Sequence, residues 1–281
     1  MVDDKVTELV NVNKNLARRK FLQGVGVAGI GVAAASVLGA NTLPQAKAFD
    51  DQPQNIKPKG QITDIDILNF ALNLEFLEAE YYSVATTGKT LVELGIISAS
   101  QVGGPTTGGK KIHLQYNKAG WLANALAKDE QTHVVFLLTA LGSAAVLKPT
   151  INLDALGYGF ANFADLLKIG RQFEDVGVSA YLGAAPLIAN PAYLAAAGAI
   201  LATEAQHSGA LRTQCVNKGV ISPPVDALDV PPTPTTPFDV DSNALSIPRT
   251  TSQVLNIVYG GGKCSGGFYP DGMNGTIVCQ S

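Results

Sequence analysis

The chain has 281 residues, a formal net charge of −3 and only 15% charged residues. Lys and Arg together (20) are fewer than Asp and Glu (23), and no basic run occurs, which excludes an electrostatic nucleic-acid binder. A hydrophobic fraction of 46% is enough for one sizeable core and argues against disorder.

Residues 1–48 read as an export signal. LARRKFLQG carries Arg18 and Arg19, a mild Gly/Ala/Val run follows from Gly24 to Ala40, and Ala46-Lys47-Ala48 is a small-x-small cleavage pattern before Phe49. The apolar run is short and diluted by glycine for a lasting membrane anchor. The segment resembles a twin-arginine signal. That resemblance implies recognition by the twin-arginine export machinery and no stable membrane insertion after cleavage. It also implies a folded protein delivered to the periplasm or the extracellular space. Residues 49–61 are a polar linker.

Four helices are expected over 62–217. Thr63 is an N-cap with Asp66 three residues later, and apolar periodicity continues to about Val84. A loop-like insertion with GGPTTGGKK at its centre fills 86–116. The second helix runs from about Asn117 to Val146, with Lys148-Pro149 as its stop. Residues 147–161 leave room for a long connection. The third helix runs from about Asn162 to Ala185, before Pro186. Asn190-Pro191 opens the fourth, as a cap followed by proline at the first helical position, and it continues to about Val216.

Residues 218–281 form a C-terminal extension of different composition. SPPVDALDVPPTPTTPFD is proline-rich and expected to lie extended over the surface. A short helix is expected near 250–259, then turns and a small hairpin. Asn274-Gly275 suits a hairpin turn better than it suits a glycosylation triplet with Thr276. Cys264 and Cys279 flank this Gly-rich stretch and could pair in an oxidising compartment. Cys215, at the end of the fourth helix, is expected to be a buried small residue.

The chemistry lies on the helical seams. Of three histidines, two follow a glutamate by three residues: Glu130 and His133 in DEQTH, Glu204 and His207 in ATEAQH. Steps of three and four place both pairs on inner stripes, with Ala123, Leu126 and Leu137 in the second helix and Ala197, Ile200 and Leu211 in the fourth. The first helix adds Glu75 and Tyr82, the third Glu174 and Tyr181, each tyrosine seven residues after its glutamate. The two helix pairs thus read as halves of an internal repeat. Glu78 borders the first seam and could replace or supplement Glu75. Glu80 faces away and is expected to be solvated. His113 is a loop residue without such a partner.

Four buried carboxylates without counter-ions would be prohibitively unstable. Two divalent cations balance four carboxylates and two neutral imidazoles. A donor set rich in carboxylate suits iron or manganese better than a structural zinc site.

This pattern resembles the ferritin-like di-metal carboxylate superfamily, and DILNFALNLEFLEAEYY resembles its desiccation-related branch. The resemblance covers about 62–217 and implies an all-α four-helix bundle with a long crossover between helices two and three. It implies that Glu130 and Glu204 bridge two metals, that Glu75 and Glu174 are terminal ligands, and that His133 and His207 bind one metal each. Tyr82 and Tyr181 would stand just outside the ligands. The implied activity is redox chemistry on O2 or H2O2 in stress defence, of a peroxidase, catalase or metal-oxidase type. The alternative is a non-enzymatic stress-protective or surface scaffold, and oligomeric state stays open. The insertion and the extension are departures that the core pattern does not explain.

Overall fold

The computed structural model describes residues 62–114 and 118–280. The expected signal over 1–48 and linker over 49–61 lie outside the described residues. Among the described residues five α-helices follow in chain order: α1 (Asp64–Thr87), α2 (Lys118–Leu141), α3 (Phe163–Ala184), α4 (Pro191–Lys218) and α5 (Thr251–Val258). The first four make an all-α four-helix bundle.

Helix boundaries follow local chemistry. Thr63 caps α1 in a reciprocal box: its hydroxyl accepts from the Asp66 N–H, and the Asp66 carboxylate accepts from the Thr63 N–H. Asn162 and Asn190 cap α3 and α4, and Pro191 occupies the first turn of α4. The second helix ends at Leu141, short of the expected Val146. Gly142 adopts a left-handed φ of 57° there, so the chain turns before Lys148-Pro149 can act as the stop.

Long-range hydrogen bonds set the directions. Near the start of α1, Asn69 pairs with Ala144 and Val146 beyond the end of α2, whereas Ser83 near the end of α1 meets Gln131 in mid-α2. So α1 and α2 are antiparallel. In the same way Leu167 of α3 meets Cys215 of α4, and Asp175 meets Ser208. Glu75 reaches Tyr181, and Tyr82 reaches Glu174, which makes α1 and α3 antiparallel too. The segment between α2 and α3 must therefore cross the length of the bundle. On its way, β2 (Ile151–Asn152) pairs in parallel with β1 (Thr106–Thr107) of the insertion.

Nearly every residue of α1 from Ile67 to Ala85 is buried. A helix covered all round is a central one. Leu68, Leu72, Phe76 and Leu77 are each 2% exposed or less, and each contributes about 1.5–3 kcal/mol by leaving water. This corrects the expectation for Glu80. It is fully buried, receives the Leu91 N–H at 3.2 Å and lies 3.8 Å from the buried Lys148 ammonium. Lys148 also donates to Gly104 O and Thr106 Oγ1, so the pair ties α1 to the crossover and the insertion. The apolar periodicity marked one face of α1, but three elements cover the others.

The extension is docked rather than merely laid over the surface. Two arginines project from the bundle and hold it. Arg171 of α3 pairs with Asp229 at 2.6 Å and donates to Ser222 and Pro223 O. Arg212 of α4 pairs with Asp175 at 2.6 Å and donates to Val230 O and Pro237 O. Asp175, Asp229 and Asp239 lie together, and these two cations pair with Asp175 and Asp229. Arg249 returns the favour from the extension, pairing with Asp226 and donating to Ser179 Oγ.

Beyond α5 the expected hairpin does not form; the described residues there hold one isolated bridge, Gly266 with Tyr269. Asn274 docks on α1 instead. Its N–H donates to Asn73 Oδ1, its carbonyl accepts from Asn73 Nδ2, and its own Nδ2 donates to Leu147 O. Cys264 and Cys279 are joined in a disulfide that closes a loop of 15 residues, and Cys215 is buried. A crosslink of that span stabilises by about 3 kcal/mol on the chain-entropy account.

Arg171→Met should strand Asp229 without its buried partner. A loss of about 3–5 kcal/mol in urea unfolding is expected. A loss below about 1 kcal/mol would mean that the network does not anchor the extension.

Candidate metal centre

Each bundle helix contributes one fully buried glutamate to the same point: Glu75 from α1, Glu130 from α2, Glu174 from α3 and Glu204 from α4. His133 and His207, one turn beyond Glu130 and Glu204, turn their Nδ1 atoms to this cluster. His133 Nδ1 lies 2.9 Å from Glu130 Oε2, 3.2 Å from Glu75 Oε2 and 3.3 Å from Glu204 Oε1. His207 Nδ1 lies 2.8 Å from Glu130 Oε1 and 3.2 Å from Glu174 Oε2. All six residues expected from the sequence are thus brought together.

The arrangement has two halves. One group that could hold a cation is Glu75, Glu130, His133 and Glu204; the other is Glu130, Glu174, Glu204 and His207. Within each, the candidate ligand atoms lie within 4.8 Å of one another. Glu130 and Glu204 belong to both groups, whereas Glu75 with His133 and Glu174 with His207 belong to one each. The tyrosines cross between the halves. Tyr82 of α1 donates to Glu174 Oε1 at 2.7 Å, and Tyr181 of α3 donates to Glu75 Oε1 at 2.6 Å.

Three carboxylate oxygens are left over. Glu130 Oε1 and both oxygens of Glu204 are buried with no hydrogen bond among the described residues. The 2.8 Å approach of His207 to Glu130 Oε1 is close but lacks hydrogen-bond alignment. Buried charged oxygens without donors are costly, and they belong to the two carboxylates shared by both groups. Carboxylate oxygens and imidazole Nδ1 atoms, converging and partly orphaned, fit hard or borderline divalent cations.

Electrostatics describe the same strain. Burial and the charge of Glu174 push Glu130 up to about 7, against the two imidazoles. Burial and Glu130 push Glu204 well above the usual carboxylate range. Burial would lower both imidazoles, but the surrounding carboxylates outweigh it. They hold His133 far above its usual value and His207 up to about 11.

Three features go beyond the six residues; the sequence left Glu78 open and did not reveal the other two. Glu78 does not replace Glu75; it is a fifth buried carboxylate, 4% exposed, raised well above its ordinary value by burial and by Glu174, Glu75 and Glu130. It stands beside the two cation-holding groups rather than in either. Asp129, immediately before Glu130, accepts from His207 Nε2 at 3.3 Å. That contact favours a proton on Nε2 and turns Nδ1 towards the cluster. An acid four residues before His133 was a legible signal, but it acts on the histidine of another helix. Gly177 of α3 is the third: a Cβ there would meet Glu204 Oε2 at 2.8 Å. His113 is an exposed loop residue.

Residues 63–217 match the family of the ferritin-like domain. The chain belongs to the ferritin-like family. No curated protein matches it. The matched span contains all four bundle helices and every residue of the cluster.

Cation uptake by this ferritin-like bundle should release protons. In the metal-free chain the imidazoles are stabilised as cations by the carboxylates, and that stabilisation fades only as pH rises through about 11 for His207. A metal must displace those protons, so affinity should rise from pH 6 to pH 8, by about tenfold per pH unit for each proton released. Calorimetry in buffers of differing ionisation enthalpy measures the release. Affinity that does not change with pH would contradict the imidazoles' role.

Proposed function

We propose that this ferritin-like protein holds two divalent ions, iron or manganese, and uses them in redox chemistry on O2 or peroxide. Its site supports that reading best through one observation. Two groups of carboxylates and imidazole share Glu130 and Glu204, and Glu130 Oε1 and both Glu204 oxygens lack hydrogen bonds among the described residues. Glu75 and His133 would complete one ion's ligands, and Glu174 and His207 the other's. The ions would supply one-electron steps that side chains cannot.

The chain's own residues prepare the site for this. Tyr82 and Tyr181 each hold one oxygen of a terminal glutamate, leaving the other, Glu174 Oε2 or Glu75 Oε2, directed at a histidine Nδ1. Asp129 holds the far nitrogen of His207. Leu126, Leu137, Ile200 and Leu211, on the same stripes, keep water from the carboxylates. A low dielectric strengthens every contact within the cluster.

The reading extends to location. Arg18, Arg19 and Ala46-Lys47-Ala48 support export through the twin-arginine route, to the periplasm or beyond, which suits a fold loaded with metal before transport. A role in stress defence, within the desiccation-related branch, is the physiological form of the proposal.

The protein should take up two Fe(II) or Mn(II) per chain and consume O2 or H2O2. Glu204→Ala should lose metal and nearly all turnover, since a carboxylate shared by both ions is removed. Tyr82→Phe should keep its metal and lose about 10–100-fold at most. Wild-type chain carrying two ions yet consuming neither oxidant would sink the redox reading and leave a scaffold.

A further inference from the structure

A cavity of about 290 Å³ lies between the bundle and the docked extension. The bundle wall includes Leu74 and Leu77 of α1 and Phe173 and Val176 of α3. The extension wall includes Val225 and Ile257. Glu78 is the one charged residue among the described residues that line it. Its carboxylate is buried and makes no hydrogen bond among the described residues.

The cavity reaches the metal centre through one bare stretch of helix. Gly177 lines the cavity, and a Cβ on it would lie 2.8 Å from Glu204 Oε2 and 3.4 Å from Glu78 Oε1. Glycine here leaves no side chain between the cavity and the two carboxylates. A glycine inside a helix is destabilising relative to alanine, and this close approach accounts for it here.

From this continuity we infer that the cavity binds one uncharged, largely apolar organic molecule and presents it to the metal centre as substrate. The inference rests on the proposed redox function and names its substrate class. Apolar walls supply the binding energy. An anion is disfavoured because the one charged lining residue is Glu78, Glu204 stands behind Gly177, and no described lining residue is a cation. Size points to a molecule of two rings, since an apolar cavity of about 150 Å³ already takes benzene. The extension acquires a role that the bundle pattern leaves unexplained. It builds the outer wall of the cavity, and Arg171 and Arg212 hold it there.

Naphthalene is a suitable probe, tested on the full chain. One saturable site per chain is expected by fluorescence titration, with 2-naphthoate weaker by at least about tenfold. Val225→Trp should fill the cavity and weaken naphthalene by a similar factor, with its melting temperature showing that the fold survives. Ile257→Trp, on α5, is the second such variant. In protein loaded with Mn(II), the bound naphthalene protons should relax faster than in protein loaded with Zn(II). Mn(II) uptake without saturable naphthalene binding overturns this proposal and leaves the metal centre standing. Equal binding of naphthoate, indifference to both tryptophans, or relaxation unchanged by Mn(II) overturns it as well. Naphthalene binding without Mn(II) uptake would overturn the proposed function and, with it, the assignment of the cavity to that centre.

Discussion

Five carboxylates converge in the centre of this bundle, every one on a residue no more than 4% exposed. Among the described residues, two imidazoles are the cationic groups that contact them. Burying charge costs several kcal/mol per ion unless it is paired, so the rest of the molecule is organised around offsetting this cluster. Without ions the cluster favours protons, since the carboxylates hold both imidazoles above their ordinary values and burial with mutual repulsion raises Glu78 and Glu204. The proposed divalent ions would replace those protons with charge of the same sign.

The helices present the cluster with near two-fold regularity. Each tyrosine crosses to the unshared glutamate of the other half, so α1 and α3 are tied together at the depth of the site. Regularity ends in the surroundings. Asp129 contacts His207, while the residue at the matching position on α4, Thr203, donates back to Ala199 O within its own helix. Glu78 likewise lies on α1, where it lines the apolar cavity beside the site. The two halves therefore offer alike ligands and unlike environments, which is the condition for treating a substrate from one side.

Much of this was legible in the sequence. The doubled Glu-x-x-His spacing, with a glutamate and a tyrosine seven apart on each remaining helix, marks inner seams because helical steps of three and four fix one face. Caps at Thr63, Asn162 and Asn190 placed three helix starts for the same local reason. The failures concern what covers a helix. Glu80 looked solvated because its face lies off the seam, yet the crossover brings Lys148 to it from 68 residues away. The proline-rich tail looked like surface chain, because nothing local reveals that Arg171 and Arg212 reach into it. At Asn274-Gly275 the turn signal was outweighed by tertiary pairing with Asn73. Pattern reports the face a helix prefers to bury, and chain topology decides how many faces are buried.

The central claim is that Glu130 and Glu204 are shared by two ions. Electron paramagnetic resonance of the chain loaded with Mn(II) tests it directly, since ions bridged by carboxylates at about 3.5–4 Å are magnetically coupled. The account predicts the many-line spectrum of a coupled pair, reached at two Mn(II) per chain. The six-line spectrum of isolated Mn(II) at full loading would contradict it.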